Sequence, residues 1–255
     1  MDLVLPLPLA LVGVAATALL AGASVSAGAL TSRAGLVATL FGILIVVLLG
    51  FAYLALLVLF VVASVLATRY RLDEKTRRNV QEGSAGERGV SNVLAHILVP
   101  TGLAVVTLLP RGAPDPVLLS AAYASALAFG ASDTFASEFG VLHPHAVSIV
   151  SGRSVAAGTN GGVSTFGTAF AAVGAITTAV VGLGLFALFG VGTGSAPVWV
   201  AVVAIAGFLG CQIDSLLGAL LENRGYLSKG GTNLCAMVAA TALGALMILA
   251  ATGGL

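Results

Sequence analysis

Long stretches almost free of charge constrain this chain more than any other feature. They fall at 4–30, 35–68, 91–109, 117–136, 165–190, 197–220 and 233–252. About 20 predominantly apolar residues are enough for a helix to cross a bilayer. Only 8% of the 255 residues are charged and 58% are hydrophobic, whereas an ordinary globular domain carries about 25% charged residues. So few charges cannot build a water-facing surface, so lipid must be the solvent for most of it. The sequence predicts an all-α integral membrane protein: one transmembrane domain over 1–255, a bundle of about seven or eight helices with cytoplasmic-facing polar loops. The early apolar run lacks a positive flank, Asp2 being its only charge, and reads as a retained span rather than a signal peptide.

The run at 35–68 is too long for one ordinary span and has Gly50 near its middle. It reads either as two short helices, each about 25 Å long, or as one long tilted helix. Lys and Arg set orientation. They gather in the loop 69–90, the stretch 132–164 and the loop 221–232, with only Arg111 on the opposite side. Those three segments are therefore expected on the cytoplasmic face of the cell membrane, and two helices in 35–68 would bring Arg33 to the same side. The net charge of +1 gives no sign of a nucleic-acid partner. Cys211 and Cys235 read as small packing residues, and His96, His143 and His145 lack the spacing of a zinc site.

Four polar constellations interrupt the apolar pattern. The first, Ser132 to Gly140, holds Asp133 and Glu138 with Ser137 between them. A carboxylate within a span is costly and marks a functional site by default. Five residues apart on a continuous helix, the two would stand about 140° apart. They converge on one ion only if the helix ends between them or other groups join in. Hard oxygen ligands of this kind suit Mg²⁺. The second, Gly158, Thr159, Asn160, Gly161, Gly162 and Ser164, leads straight into an apolar helix. Backbone N–H groups of such a loop can approach a phosphate, with Arg153 upstream as a counter-charge, although Ser164 could equally cap the helix. The third is Asp214, among Leu, Gly and Ala, where a carboxylate requires a cation or a partner. The fourth is the basic loop: Lys75 and Arg88 are candidates to grip phosphate, with Asn92 one helical turn after Arg88. Lys229 and Asn233 open the last helix and complete the set.

Acidic groups for a metal, backbone donors for phosphate and cations for developing charge are the parts of a phosphoryl-transfer site. At these residues the chain resembles the phytyl-phosphate kinase-like family of multi-pass membrane proteins, formerly a domain of unknown function and distantly similar to polyprenol (dolichol and phytol) kinases. The resemblance covers nearly the whole chain. It is carried by Ser-Asp-Thr-x-Ala-Ser-Glu-x-Gly at 132–140, Gly-Thr-Asn-Gly-Gly-Val-Ser-x-x-Gly-Thr at 158–168 and Asp-Ser-Leu-Leu-Gly-Ala at 214–219. Thr68 with Lys75, and Arg88 with Asn92-Val-Leu-Ala, extend it. The final loop, Tyr226 to Asn233, and Ser91 depart from the family pattern. The resemblance implies transfer of a phosphoryl group from a nucleoside triphosphate, CTP or another, to a prenyl monophosphate lipid, giving the diphosphate. On that expectation Asp133, Glu138 and Asp214 bind Mg²⁺, the 158–164 backbone with Ser164 cradles phosphates, and Arg88, Lys75 and Arg153 stabilise the transferring group. A prenol kinase acting on the free alcohol and an ion-coupled lipid transporter are the alternative readings. Neither the prenyl chain length nor the oligomeric state is legible.

Overall fold

The computed structural model describes residues 5–109 and 114–254; Asp2 and Arg111, invoked above, lie outside them. Among the described residues there are eight long helices and one short one. They are α1 (Leu7–Ser26), α2 (Ser32–Leu49), α3 (Phe51–Arg69), the short α4 (Leu72–Arg77), α5 (Val90–Val106), α6 (Pro116–Gly140), α7 (Thr165–Leu188), α8 (Ala196–Leu217) and α9 (Lys229–Thr252). A π-helical turn, Gly218–Glu222, extends α8. Helices α1, α2, α3, α7, α8 with its extension, and α9 are long and apolar enough to cross a membrane, and α5 is a shorter apolar helix.

The 35–68 run is two helices. Gly50, with φ of +94°, breaks it in a conformation that L side chains rarely adopt. The chain reverses there: Arg69 at the end of α3 donates to the carbonyl of Ala27, just before α2. Each long helix then alternates in direction, and every polar constellation falls at the same end of the bundle. Of the eleven Lys and Arg residues, all those described lie at that end.

Helix α6 is the centre. Residues 119 to 132 are buried without interruption, and the helix packs against α3, α5, α7, α8 and α9. Small residues make this possible. A Cβ at Gly174 of α7 would stand 2.7 Å from the Ala131 carbonyl oxygen, and one at Gly207 of α8 2.8 Å from the Ala128 backbone. Lipid offers no hydrophobic drive for helices to associate, so close van der Waals approach of this kind carries the packing. At the far end of α6, Trp199 Nε1 donates to Ser120 Oγ at 3.1 Å, and Tyr123 Oη donates to the Tyr53 carbonyl at 2.9 Å, so the aromatic core leaves these polar tips satisfied.

One element goes beyond the all-α expectation. The connection from α6 to α7 folds into a three-stranded antiparallel sheet, order β2-β1-β3, from β1 (Ala146–Ser148), β2 (Ser154–Val155) and β3 (Gly162–Val163). Strands of two or three residues carry no readable alternation, which is why this Gly-rich stretch looked like open loop.

Replacing Gly207 by Val drives two methyl groups into the Ala128 backbone. It is expected to lower stability by roughly 1–3 kcal/mol, read as a reduced thermal unfolding midpoint in detergent. Val at Gly184, which faces open space, serves as the control and should change little.

Candidate active site

The polar ends of α5, α6, α8 and α9 enclose a cavity of about 410 Å³. Two loops complete it: 79–82 before α5, and 157–162 before α7. Its wall carries two groups of charged side chains.

The first group is acidic and built around Asn233, one turn into α9. Its amide nitrogen stands 3.5 Å from Asp133 Oδ2 of α6. Turned over, the same amide donates to Asp214 Oδ1 of α8 at 3.2 Å and to the Lys229 carbonyl at 3.0 Å. Asp133 and Asp214, 81 positions apart in the chain, are therefore neighbours. The turned orientation satisfies the amide, and its two protons then go to Asp214 and the Lys229 carbonyl, leaving none for Asp133. One amide does not serve both carboxylates at once, and two such neighbours call for a cation or a proton between them.

Glu138 does not join them. Helix α6 remains continuous to Gly140, so the angular offset between Asp133 and Glu138 is kept and Glu138 points toward α3 and α4. There its Oε2 accepts from Lys75 Nζ at 2.6 Å, and its Oε1 lies 2.7 Å from Thr68 Oγ1. Lys75 is fully buried and also donates to the carbonyls of Ala67 at 2.9 Å and Thr68 at 3.1 Å. All three of its protons are used, two of them on carbonyls at the end of α3 that helix geometry leaves without partners. The expected roles of Glu138 as a metal ligand and of Lys75 as a phosphate clamp are thus corrected. Among the described residues, no three His, Cys, Asp or Glu side chains are grouped to hold a metal ion.

The second group is a chain of polar contacts that continues from this pair. Arg88 Nη2 reaches Thr68 Oγ1 at 3.4 Å and Nη1 donates to Asn92 Oδ1 at 3.2 Å. Asn92 Nδ2 donates to Glu82 Oε1 at 3.2 Å, and Lys229 Nζ to Glu82 Oε2 at 3.0 Å. Burial opposes the charge on Glu82, yet Lys229 and Arg88 hold its pKa below the usual value. Burial likewise lowers the pKa of Arg88, against the pull of Glu82, Glu138 and Asp133. Glu82 was not anticipated: in a loop dense with charge, nothing local separates it from Asp73, Glu74 or Glu87.

The Gly-rich loop forms the third wall. Gly161 has φ of +74°, and a Cβ there would stand 2.7 Å from the Ala219 backbone nitrogen, so both its conformation and its contact with the π-helical turn demand glycine. Asn160 donates to Glu222 Oε1 at 2.9 Å, and its carbonyl accepts from Asn223 at 3.0 Å. These bonds fix Gly158, Thr159 and Gly162 along the cavity. Ser164 is the N-cap of α7, its Oγ accepting from Gly167 N at 3.0 Å. Ser137 lines the cavity and its Oγ donates to the Thr134 carbonyl at 3.1 Å. Arg153 is exposed beyond the β1–β2 turn and does not line the wall, so it is not among the groups gathered here.

A family model described as "Integral membrane protein DUF92" matches residues 15–244. The chain belongs to this family. It is 31% identical over 211 residues to the membrane protein MJ0933 of Methanocaldococcus jannaschii, covering 82% of each chain. It is 34% identical over 198 residues to Protein PGR of Arabidopsis thaliana, covering 70% of this chain and 67% of that one. With the Synechocystis membrane protein sll0875 it shares 31% identity over 189 residues, 72% of this chain and 68% of the other. No solved structure matches it. In this DUF92 chain the matched span runs from α1 into α9 and includes every residue that lines the cavity.

Removing one member of a buried ion pair strands the other. Glu138→Ala is expected to cost roughly 3–5 kcal/mol through unpaired Lys75, visible as early thermal unfolding in detergent. Lys75→Met combined with Glu138→Leu should recover much of that loss. An unchanged unfolding midpoint for Glu138→Ala would show that the pair does not hold these elements together.

Proposed function

We propose that this chain is a membrane kinase. It transfers the terminal phosphoryl group of a nucleoside triphosphate to a prenyl monophosphate of the phytyl or geranylgeranyl type. The observation that carries this reading is the convergence of Asp133, Asp214 and the Asn233 amide with too few donors among them, facing a cavity walled by Arg88, Lys229 and the Gly-rich backbone.

Two carboxylates and a neutral oxygen are a donor set suited to Mg²⁺, which takes its remaining ligands from water and substrate phosphates. Asp133 and Asp214 would hold the ion, and it would neutralise charge on the transferring group. The residues of this chain do the rest. Backbone N–H groups along 158–162 bind and orient the triphosphate, while Arg88 and Lys229 face the charge that spreads over the transferring oxygens. A non-bridging oxygen of the acceptor phosphate forms the new bond to the γ-phosphorus. The bond from that phosphorus to the β–γ bridging oxygen breaks, and its electron pair leaves with the nucleoside diphosphate. The attacking oxygen of the acceptor phosphate is already ionised, so no general base is required to deprotonate it. Glu138 and Lys75 act by positioning Thr68 and, through it, Arg88.

The concentration of Lys and Arg at the cavity's end of the bundle favours a cytoplasmic site, where nucleotides are abundant. Depth argues against ion-coupled transport. Asp214 lies one turn before the π-helical extension of α8, and loop backbone forms two walls of the cavity, rather than the closed mid-membrane site that a transporter uses.

Purified protein should be tested with a panel of Mg-nucleoside triphosphates, CTP first, against phytyl phosphate, geranylgeranyl phosphate and the free alcohols. Formation of the prenyl diphosphate is expected. Asp133→Asn and Asp214→Asn should each lower turnover at least about 100-fold, as loss of a principal electrostatic contribution does, without shifting the unfolding midpoint downward. Turnover of the alcohols alone would establish a prenol kinase instead. No turnover of any acceptor with any nucleotide would exclude both.

A further inference from the structure

A second cavity, of about 130 Å³, lies between α1, α2, α3 and α5. Its lining is almost wholly apolar, and it shares Arg88, Asn92 and His96 with the polar cavity. The two therefore meet at these residues. At its outer rim Leu20 and Val62 are 43% and 48% exposed on the bundle surface, where hydrocarbon surrounds the protein.

At the junction, three buried polar atoms have no partner: Ser64 Oγ, Arg88 Nε and His96 Nε2. Ser64 is 1% exposed, Arg88 7% and His96 5%, and all three residues line the apolar cavity. A buried polar group without a partner is costly, and three at the meeting point of two cavities mark a place for a polar ligand atom. His96 is held for that purpose. Its Nδ1 is 2.9 Å from the Asn92 carbonyl, which places the ring proton on Nδ1 and leaves Nε2 as an acceptor. Phe129 lies nearly parallel to the ring and Phe60 is inclined by 30°, with centroids 6.5 and 5.6 Å away. Gly130 leaves the room, since a Cβ there would come within 2.9 Å of Phe60 and 3.2 Å of His96.

Resting on the kinase reading, we propose that this groove is the acceptor site. It takes the head-proximal part of a single prenyl chain, entering sideways from the bilayer, and the chain's phosphate monoester sits at Ser64, Arg88 and His96. The partners are complementary to that headgroup: two donors, Ser64 and Arg88 Nε, for its oxygens and one acceptor, His96 Nε2, for a P–OH proton. The guanidinium selects an anion over a neutral alcohol. A volume of about 130 Å³ suits part of one chain rather than the two of a phospholipid. It also separates the substrates, with the nucleotide on the Asp133–Asp214 side and the acceptor on the α1–α5 side of Arg88.

Two measurements test this. In the first, detergent-solubilised protein is photolabelled with geranylgeranyl phosphate bearing a mid-chain diazirine, and the adducts are mapped by mass spectrometry. Adducts on α1, α2 and α3 around Leu20 and Val62, competed by unlabelled prenyl phosphate but not by phospholipid, support the site whether or not the protein turns over. Adducts confined to α7–α9, or competed equally by phospholipid, overturn it, even if the kinase activity stands. The second is kinetic. Ser64→Ala, which removes one oxygen, should raise KM for geranylgeranyl phosphate about threefold to tenfold. His96→Leu should raise it at least tenfold, and both should leave KM for the nucleotide unchanged. Ala38→Phe, which fills the groove, should raise KM for the C20 acceptor but not for dimethylallyl phosphate. Equal effects on both substrates, or on both chain lengths, would overturn the assignment.

Discussion

The buried pair between Lys75 and Glu138 holds the working end of this protein together. It joins α4 to α6, and through the carbonyls of Ala67 and Thr68 it closes the end of α3. In water such a bond would count for little, since exposed ion pairs contribute about 0–1 kcal/mol. Here both charges are almost wholly enclosed, and neither can be left alone without a large penalty. The pair also fixes Thr68, which touches Arg88, which in turn orders Asn92, Glu82 and Lys229. One contact between α4 and α6 thereby sets the cationic wall of the cavity.

Helix α6 consequently does two jobs with two carboxylates. Because it stays helical to Gly140, Glu138 faces the scaffold and Asp133 faces the cavity. The same rotation that prevents them from sharing an ion lets one be neutralised by a lysine while the other is left in excess. That excess is the chemical content of the site: Asp133 and Asp214 lie side by side with one amide between them. A protein that spends its lysine on Glu138 and leaves two aspartates without one has arranged its acids for something that arrives from outside.

Much of this was legible in the sequence because local chemistry dictates it. Lipid leaves a helix no partner for its backbone except itself, so the spans and the gathering of charge at one end follow from hydropathy and the count of Lys and Arg, while the 35–68 run stayed open between one helix and two until the φ of Gly50 decided it. The Asp133, Gly158–Gly162 and Asp214 motifs also pointed to one cavity, since direction alternates from helix to helix. What was hidden depends on tertiary distance. Lys75 and Glu138 are 63 positions apart, and only the rotation of α6 decides that they meet. Arg153 looked like a phosphate ligand because it precedes the Gly-rich loop, but a hairpin too short to show a strand pattern carries it away. His96 lacked neighbouring ligands in sequence and was set aside as a metal candidate. Its free Nε2 becomes visible only when Asn92, Phe60 and Phe129 are placed around it.

The bundle is uneven, and the unevenness follows the proposed division of labour. Around α6, α7, α8 and α9, glycine and alanine bring backbones into contact, which fixes Asp133, Asp214 and the Gly-rich loop on rigid neighbours. Catalytic groups need that precision. On the other side α1 has only 17% of its apolar window buried, against 50% for α3, and it packs mainly on α2. Glycines seat it there, a Cβ at Gly13 or Gly42 falling against Val46 or Thr17, and the apolar cavity lies beside that contact. A lipid substrate must enter through the side of the protein while a nucleotide enters from water, and the two demands conflict in a uniformly packed bundle. Tight packing behind the aspartates and an apolar cavity beside α1 satisfy both, with Arg88 standing where the two regions meet.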